Sequence, residues 1–256
     1  MYKCIPDDKH LPHFLVPYDI IIDFSKAHKN KYVLFKFQEW EREHPHGILV
    51  ETLGDINHLE AFYEYQLYSK SLHSSLKEMT NKIKEMTKKK TLQEYFQEIS
   101  HNPNYKIRDD TYRYVFTIDS PNTVEYDDAF SIYQEEHTIK VTVYVAQVVF
   151  WLELFQLWNS FDNRISTIYL PDRRRPMLPT ILTNSLCSLK EGEPRIAIAI
   201  EFLFEKREGS IFLKNTNIYN TLMKVTKNYC YDEPKMIYQD KHYIQLFELT
   251  SRLGSK

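Results

Sequence analysis

The chain has 256 residues and carries 33 Lys and Arg against 35 Asp and Glu, a formal net charge of −2, so no global positive field draws in nucleic acid. The length allows one large domain or two modest ones with a substantial core, and aromatics at 14% exceed what a minimal fold needs. Three cysteines without metal spacing (Cys4, Cys187, Cys230), no apolar run of membrane-spanning length and an N-terminus unlike a signal peptide predict a soluble, cytoplasmic protein.

Residues 1–55 read as strands, at 13–17, 32–37 and 47–54, each an apolar or aromatic run bounded by turn residues. Over 57–100 the period becomes helical. Asn57 with Glu60 and Thr91 with Glu94 predict two capping boxes. Leu72, Leu76, Met79, Ile83 and Met86 fall on one helix face. Lys70, Lys77, Lys84 and the run 88–90 fall opposite and read as a solvated face. Asn102-Pro103-Asn104 marks a boundary. Strands follow at 112–119, 128–134 and 139–149, then a helix at 151–161. The cleanest strand is 195–204, with Ile196, Ile198, Ile200, Phe202 and Phe204 on one side. A turn at 208–210, a returning strand at 211–220 and an amphipathic helix at 242–253 complete the chain, which has no internal repeat.

Between the strands ending at 119 and starting at 128 lie four acids within ten residues: Asp119, Glu125, Asp127 and Asp128. The intervening Ser120-Pro121-Asn122-Thr123 has the composition of a turn. Carboxylates this close repel one another and hold protons unless a cation neutralises them. Hard oxygen donors suit Mg²⁺, with Mn²⁺ as a substitute, and the chemistry to expect is metal-assisted attack on a phosphodiester. An acidic cluster also reads as a solvated hairpin, and these residues by themselves leave both readings open.

The stretch FTIDSPNTVEYDDAFS at 116–131 resembles the signature of the RNB family, which includes RNase II, RNase R and the exosome's catalytic exonuclease. Ile118-Asp119 match its opening and Asp127-Asp128-Ala129 its close, while Glu125 stands where the pattern has Asp. A second block, YLPDRRRPMLP at 169–179 followed by NSLCSL at 184–189, resembles the family's YLPDRRIPMLP…LSNGLCSL. Residues 143–148 (VYVAQV) resemble VHIADV, residues 164–167 resemble Arg-Gly-Thr-Ser, and 229–233 (YCYDE) resemble LTYEE.

The resemblance implies an α+β chain: a partial cold-shock, OB-type barrel at 1–56, a helical linker at 57–104 and the N-terminal part of an RNB nuclease domain at 105–256. OB barrels stack bases on exposed aromatics, but for Phe35, Phe37 and Trp40 burial in the barrel core is the preferred expectation. The implied activity is 3′-to-5′ hydrolysis of single-stranded RNA to nucleoside 5′-monophosphates with Mg²⁺. Asp119, Glu125, Asp127 and Asp128 would be the metal and catalytic carboxylates, Tyr169 would place the terminal nucleotide, and Tyr231 would contact the bound 3′ end. Arg173 and Arg174 would bind phosphate, while one of the three arginines at 173–175 would support the acidic cluster through a salt bridge. The family's domain continues past such a segment with an arginine motif and a base-stacking aromatic, then an S1-type domain. A downstream polypeptide is therefore an expected partner. Glu125 and the missing half also fit a catalytically impaired RNA-binding or scaffold fragment. The Lys-, Asn- and Tyr-rich wording is closest to versions from large DNA viruses.

Overall fold

The computed structural model describes residues 1–17, 29–41, 43–160, 166–207 and 210–254; the expected match at 164–165 and the turn at 208–209 lie outside them. In chain order the strands and α-helices are β1 (Tyr2–Cys4), β2 (Phe14–Val16), β3 (Lys31–Glu39), β4 (His46–Asp55), α1 (Leu59–Ser69), α2 (Lys77–Lys89), α3 (Leu92–His101), β5 (Arg108–Asp109), β6 (Phe116–Asp119), β7 (Asp128–Gln134) and β8 (Thr138–Ala146). They continue with α4 (Val148–Leu154), β9 (Ile168–Tyr169), β10 (Arg174–Arg175), β11 (Pro194–Arg207), β12 (Ser210–Lys224), β13 (Lys227–Cys230), α5 (Pro234–Gln239) and α6 (Lys241–Gly254). Two compact units result: Met1–Ser75 with Asp162–Met177, and Leu76–Phe161 with Leu178–Lys256. Among the described residues no helix is long and apolar enough to cross a membrane.

In the first unit β1, β2, β4 and β3 form one sheet in that order. Cys4, Phe14 and Val16 are its buried centre, with Val33, Phe35 and Leu49 packed on them. Phe35 takes its expected core place, but Phe37 is 62% and Trp40 58% exposed: Phe37 meets the cluster only edge-on at Phe14 (centroids 6.3 Å), and Trp40 lies past the end of β3. α1 rests on β3 and β4. Gly54 makes that approach at φ +138°, where a Cβ would stand 2.9 Å from that of Ala61. The expected Asn57–Glu60 capping box does not form. Asn57 instead turns its own N–H to Asp55 Oδ1 (3.0 Å), and His58 precedes α1 without a side-chain cap. β9 pairs antiparallel with β10, Tyr169 opposite Arg174.

The second unit is built on a seven-stranded sheet of order β13-β6-β7-β8-β11-β12-β5. Val115, Ala129, Tyr144, Ala197 and Ala199 pack on one another in its main core. The sequence assigns the core side of β11 to Ile196, Ile198, Ile200, Phe202 and Phe204. In fact both faces are covered: Ala197 and Ala199 are fully buried on the other side, and Phe204 joins a second cluster with Ile132 and Leu249 of α6. Continuous apolar sequence is what a strand covered twice requires. The first strand around the acids is shorter than expected, 116–119 rather than 112–119. The helix expected at 151–161 begins earlier, as α4 at Val148, and ends at Leu154 before a short 3₁₀ turn at Trp158–Ser160. Its Trp151 is fully buried against Tyr95 and Phe96 of α3 (centroids 6.2 Å in both cases). The Thr91–Glu94 capping box forms as expected, Thr91 N–H donating to Glu94 Oε2 (2.7 Å) and Glu94 N–H to Thr91 Oγ1 (3.3 Å).

Candidate active site

β6 delivers Asp119 at its C-terminal end and β7 begins at Asp128. Between them the chain turns on Thr123, whose N–H (3.1 Å) and hydroxyl (2.8 Å) both donate to the Ser120 carbonyl, with Asn122 left-handed at φ 70°. The rest of the loop is bonded down residue by residue. Thr183 Oγ1 donates to Glu125 Oε1 (2.8 Å), and Tyr126 N–H donates to Ser188 Oγ (3.0 Å). Leu189 N–H donates to the Tyr126 carbonyl (2.9 Å) and Ala146 N–H to that of Asp127 (2.8 Å). Thr183 and Ser188 come from a π-helix at Ile181–Cys187 and the residue that ends it. Of these two hydroxyls the NSLCSL resemblance includes Ser188, with no task implied for it, and Thr183 lies just outside it.

β13 runs parallel to β6 with Cys230 opposite Asp119, and Tyr231 N–H donates to the Asp119 carbonyl (2.9 Å). Tyr231 therefore stands beside the acids, 58% exposed. Burial pushes the Asp119 carboxyl above the usual range; the Thr117 hydroxyl opposes this and the charge of Asp128 adds to it. Its Oδ2 is buried without a hydrogen-bond partner. Asp127 is exposed as a residue, yet its carboxyl is likewise pushed up, by desolvation and then by the charges of Glu125, Asp128 and Asp119. Burial raises the neighbouring Cys187 thiol to about 12, which makes it inert.

Among the described residues no three His, Cys, Asp or Glu side chains come together in a group that could hold a metal ion. The orphaned oxygen of Asp119 and the repulsion at Asp127 are, however, the two features that a divalent cation relieves. The donor set, all carboxylate, fits Mg²⁺.

Asp119, Glu125, Asp127, Asp128 and Tyr231 thus belong to the second unit, and Tyr169, Arg173 and Arg174 to the first. Tyr169 is 77% exposed. The supporting salt bridge expected of an arginine is made elsewhere. Arg175 is buried, bidentate to Asp172 (2.6 and 2.8 Å) and bonded to Glu64 Oε1 of α1 (2.7 Å). Arg173 reaches the same Glu64 oxygen at 3.0 Å, because the tight β9–β10 turn points both guanidiniums at α1. Arg173 and Arg174 are exposed.

Ribonuclease R of Chlamydia pneumoniae is 29% identical over 142 residues, 55% of this chain and 21% of that protein. The structure of Mycoplasma genitalium RNase R in complex with ribose-methylated single-stranded RNA is similar over 94% of this chain and 37% of that one, with TM-score 0.66 and 18% identity. Yeast Ssd1, described as a pseudonuclease, is similar over 97% of this chain and 31% of its own, with TM-score 0.55 and 17% identity. The chain spans about a fifth of the length of the curated relatives it matches. Residues 1–67 match the Dis3-like cold-shock domain 2 and residues 107–245 the RNB domain. The latter is over half of the chain, which therefore belongs to the RNB family.

Proposed function

We propose that the chain acts on single-stranded RNA from the 3′ end, hydrolysing it to nucleoside 5′-monophosphates in the cytoplasm. The observation that carries this reading is the acidic loop itself: a backbone bonded down at Asp119, Tyr126 and Asp127, the Glu125 carboxylate held by Thr183, two carboxyls pushed toward protonation and one with an orphaned oxygen. Asp119, Glu125, Asp127 and Asp128 would hold Mg²⁺, which when bound supplies an activated water and charge neutralisation at the phosphate. Tyr231, exposed beside Asp119, offers its ring to the terminal nucleotide. Tyr169 and the guanidiniums of Arg173 and Arg174 offer a ring and phosphate donors on the first unit. The division at 56 and 104 into cold-shock, linker and nuclease parts belongs to the same reading. So does a downstream RNB or S1 polypeptide as the source of the remaining phosphate-binding groups.

The test is release of mononucleotides from 5′-labelled oligo(A) in Mg²⁺ by the purified chain, with Asp127→Asn as control. Asp127-dependent shortening from the 3′ end supports the reading. Internal cuts, or equal activity in the control, overturn it.

A second reading, an RNA-binding protein with impaired catalysis, is favoured by Glu125. Its extra methylene displaces the carboxylate by about 1.5 Å, and misplacement of about 1 Å can cost roughly 10²-fold in rate. Yeast Ssd1, named a pseudonuclease, shares the fold. Glu125→Asp separates the two. A gain of about tenfold or more, roughly 1.4 kcal/mol of barrier, identifies a mispositioned ligand, and an unchanged rate a site adapted to the longer acid.

A further inference from the structure

We propose that the outer face of α2 binds the phosphate backbone of single-stranded RNA through Lys77, Lys84 and Lys88. This surface presupposes the RNA-directed function above and adds a contact outside the carboxylate cluster. α2 buries Met79 and Ile83. With 3.6 residues per turn, Lys77, Lys84 and Lys88 fall within an arc of about 40° on the side away from that buried pair. All three are exposed. Their spacings along the axis, about 10 and 6 Å at 1.5 Å per residue, form a row of positive charge rather than a point.

The other lysines of this region are neutralised. Lys82 pairs with Glu78 (3.1 Å) and donates to Ser160 (2.9 Å), Lys89 pairs with Glu85 (2.7 Å), and Lys90 with Glu98 (2.5 Å). Glu78 and Glu85, the two acids of α2, are thus both spent on one flank. Among the described residues Lys77, Lys84 and Lys88 have no ion-pair partner. A face that served solubility alone gives no reason for the acids to be withdrawn from one stripe. On a chain of net charge −2, such a stripe is what a polyanion meets locally, within a Debye length of about 10 Å.

Its position matters too. α2 packs against the π-helix at Ile181–Cys187, the element that supplies Thr183 to Glu125. The stripe therefore lies on the outside of the layer that braces the acidic loop. An RNA engaging both must be longer than the few nucleotides held at the carboxylates.

The test uses the full chain in EDTA, 5′-fluorescein oligo(A) of about 5 and about 24 nucleotides, and anisotropy across a salt series. The variant Lys77→Gln, Lys84→Gln, Lys88→Gln is compared with a charge-matched one, Lys82→Gln, Lys89→Gln, Lys90→Gln. Gln and Lys have similar helix propensity, and circular dichroism checks that both variants keep their helix content. The stripe variant should bind the long oligomer at least tenfold more weakly and bind the short one as the parent does. Its slope of log K against log salt should flatten by about 2, three lysines at roughly 0.7 each. The control should lose less than threefold. Equal losses in both variants, or an unchanged slope in the stripe variant, overturn the proposal while leaving the RNA function standing. A parent chain that binds neither oligomer sinks both.

Discussion

Asp119 is held from behind by a short relay. Asn228 Nδ2 donates to Thr117 Oγ1 (2.9 Å), which leaves that hydroxyl's hydrogen for the Asp119 carboxylate two residues along the strand. Asn228 is itself fixed by Leu189 O (3.1 Å) and by the Glu191 N–H donated to its Oδ1 (2.7 Å). Asn228→Ala should therefore weaken Mg²⁺ binding about 10–100-fold by calorimetry, the usual cost of losing a group that orients a ligand, with Thr117→Val acting in the same direction. Unchanged affinity in both would remove the relay from the site. The shifts at Asp119 and Asp127 also fix a sign. Both carboxyls are raised in the folded state, so the ion-free fold gains most when they are protonated, below the ordinary Asp range near 3.9, and loses that gain as pH rises through the raised values. Asp127→Asn should raise the melting temperature of the metal-free protein at pH 7, and the difference should shrink toward pH 4. Melting curves with and without Mg²⁺ check this, since bound ion should reverse the order. The four acids were legible because they cluster in sequence. Asn228 lies 111 residues from Thr117, and nothing in its local sequence marks it.

At the next scale up, the helix that closes the second unit starts on Asp240. Its Oδ1 accepts the N–H groups of His242 (2.8 Å) and Tyr243 (2.9 Å), and its Oδ2 accepts the hydroxyls of Tyr229 (2.8 Å) and Tyr114. Burial works against ionisation here, but these donors outweigh it and the carboxyl lies below the usual range. The stability it contributes is present above the ordinary Asp value near 3.9 and is lost as pH falls through the lowered one. Asp240→Ala removes a cap worth about 1 kcal/mol and strands two tyrosine hydroxyls at about 1 kcal/mol each, so chemical denaturation should show a loss of about 2–4 kcal/mol. Strands β7, β8, β11 and β12 were readable because each is a run of seven or more residues rich in apolar, aromatic and β-branched side chains. The Asp240 cap was not, because two of its four partners come from elsewhere in the chain, Tyr114 ahead of β6 and Tyr229 on β13. The π-helix at Ile181–Cys187 was not either. Its i→i+5 spacing matches neither strand nor α-helix, so the sequence suggests no element over 181–187.

For the whole molecule, the consequential fact is that neither unit is one continuous piece of sequence. Residues Asp162–Met177 return to the first unit and bring Arg173 and Arg175 to Glu64. Glu64→Gln would leave the buried Arg175 guanidinium with Asp172 as its remaining anion, and breaking such a pair costs about 3–5 kcal/mol when no partner stays and less here. A loss of about 1–3 kcal/mol by chemical denaturation is expected, while Glu64→Asp should recover part of it. On the ribosome this interleaving becomes a matter of timing. Glu64 emerges 109 residues ahead of Arg173, and at about 5–20 residues per second its partners arrive roughly 5–20 s later. Through that interval the first unit waits with a lone carboxylate on α1 while α2, α3, α4 and four of the seven strands of the second are being made. A nascent chain of this kind is open to chaperones, or to its own premature pairings, for as long as translation takes to bring the arginines out.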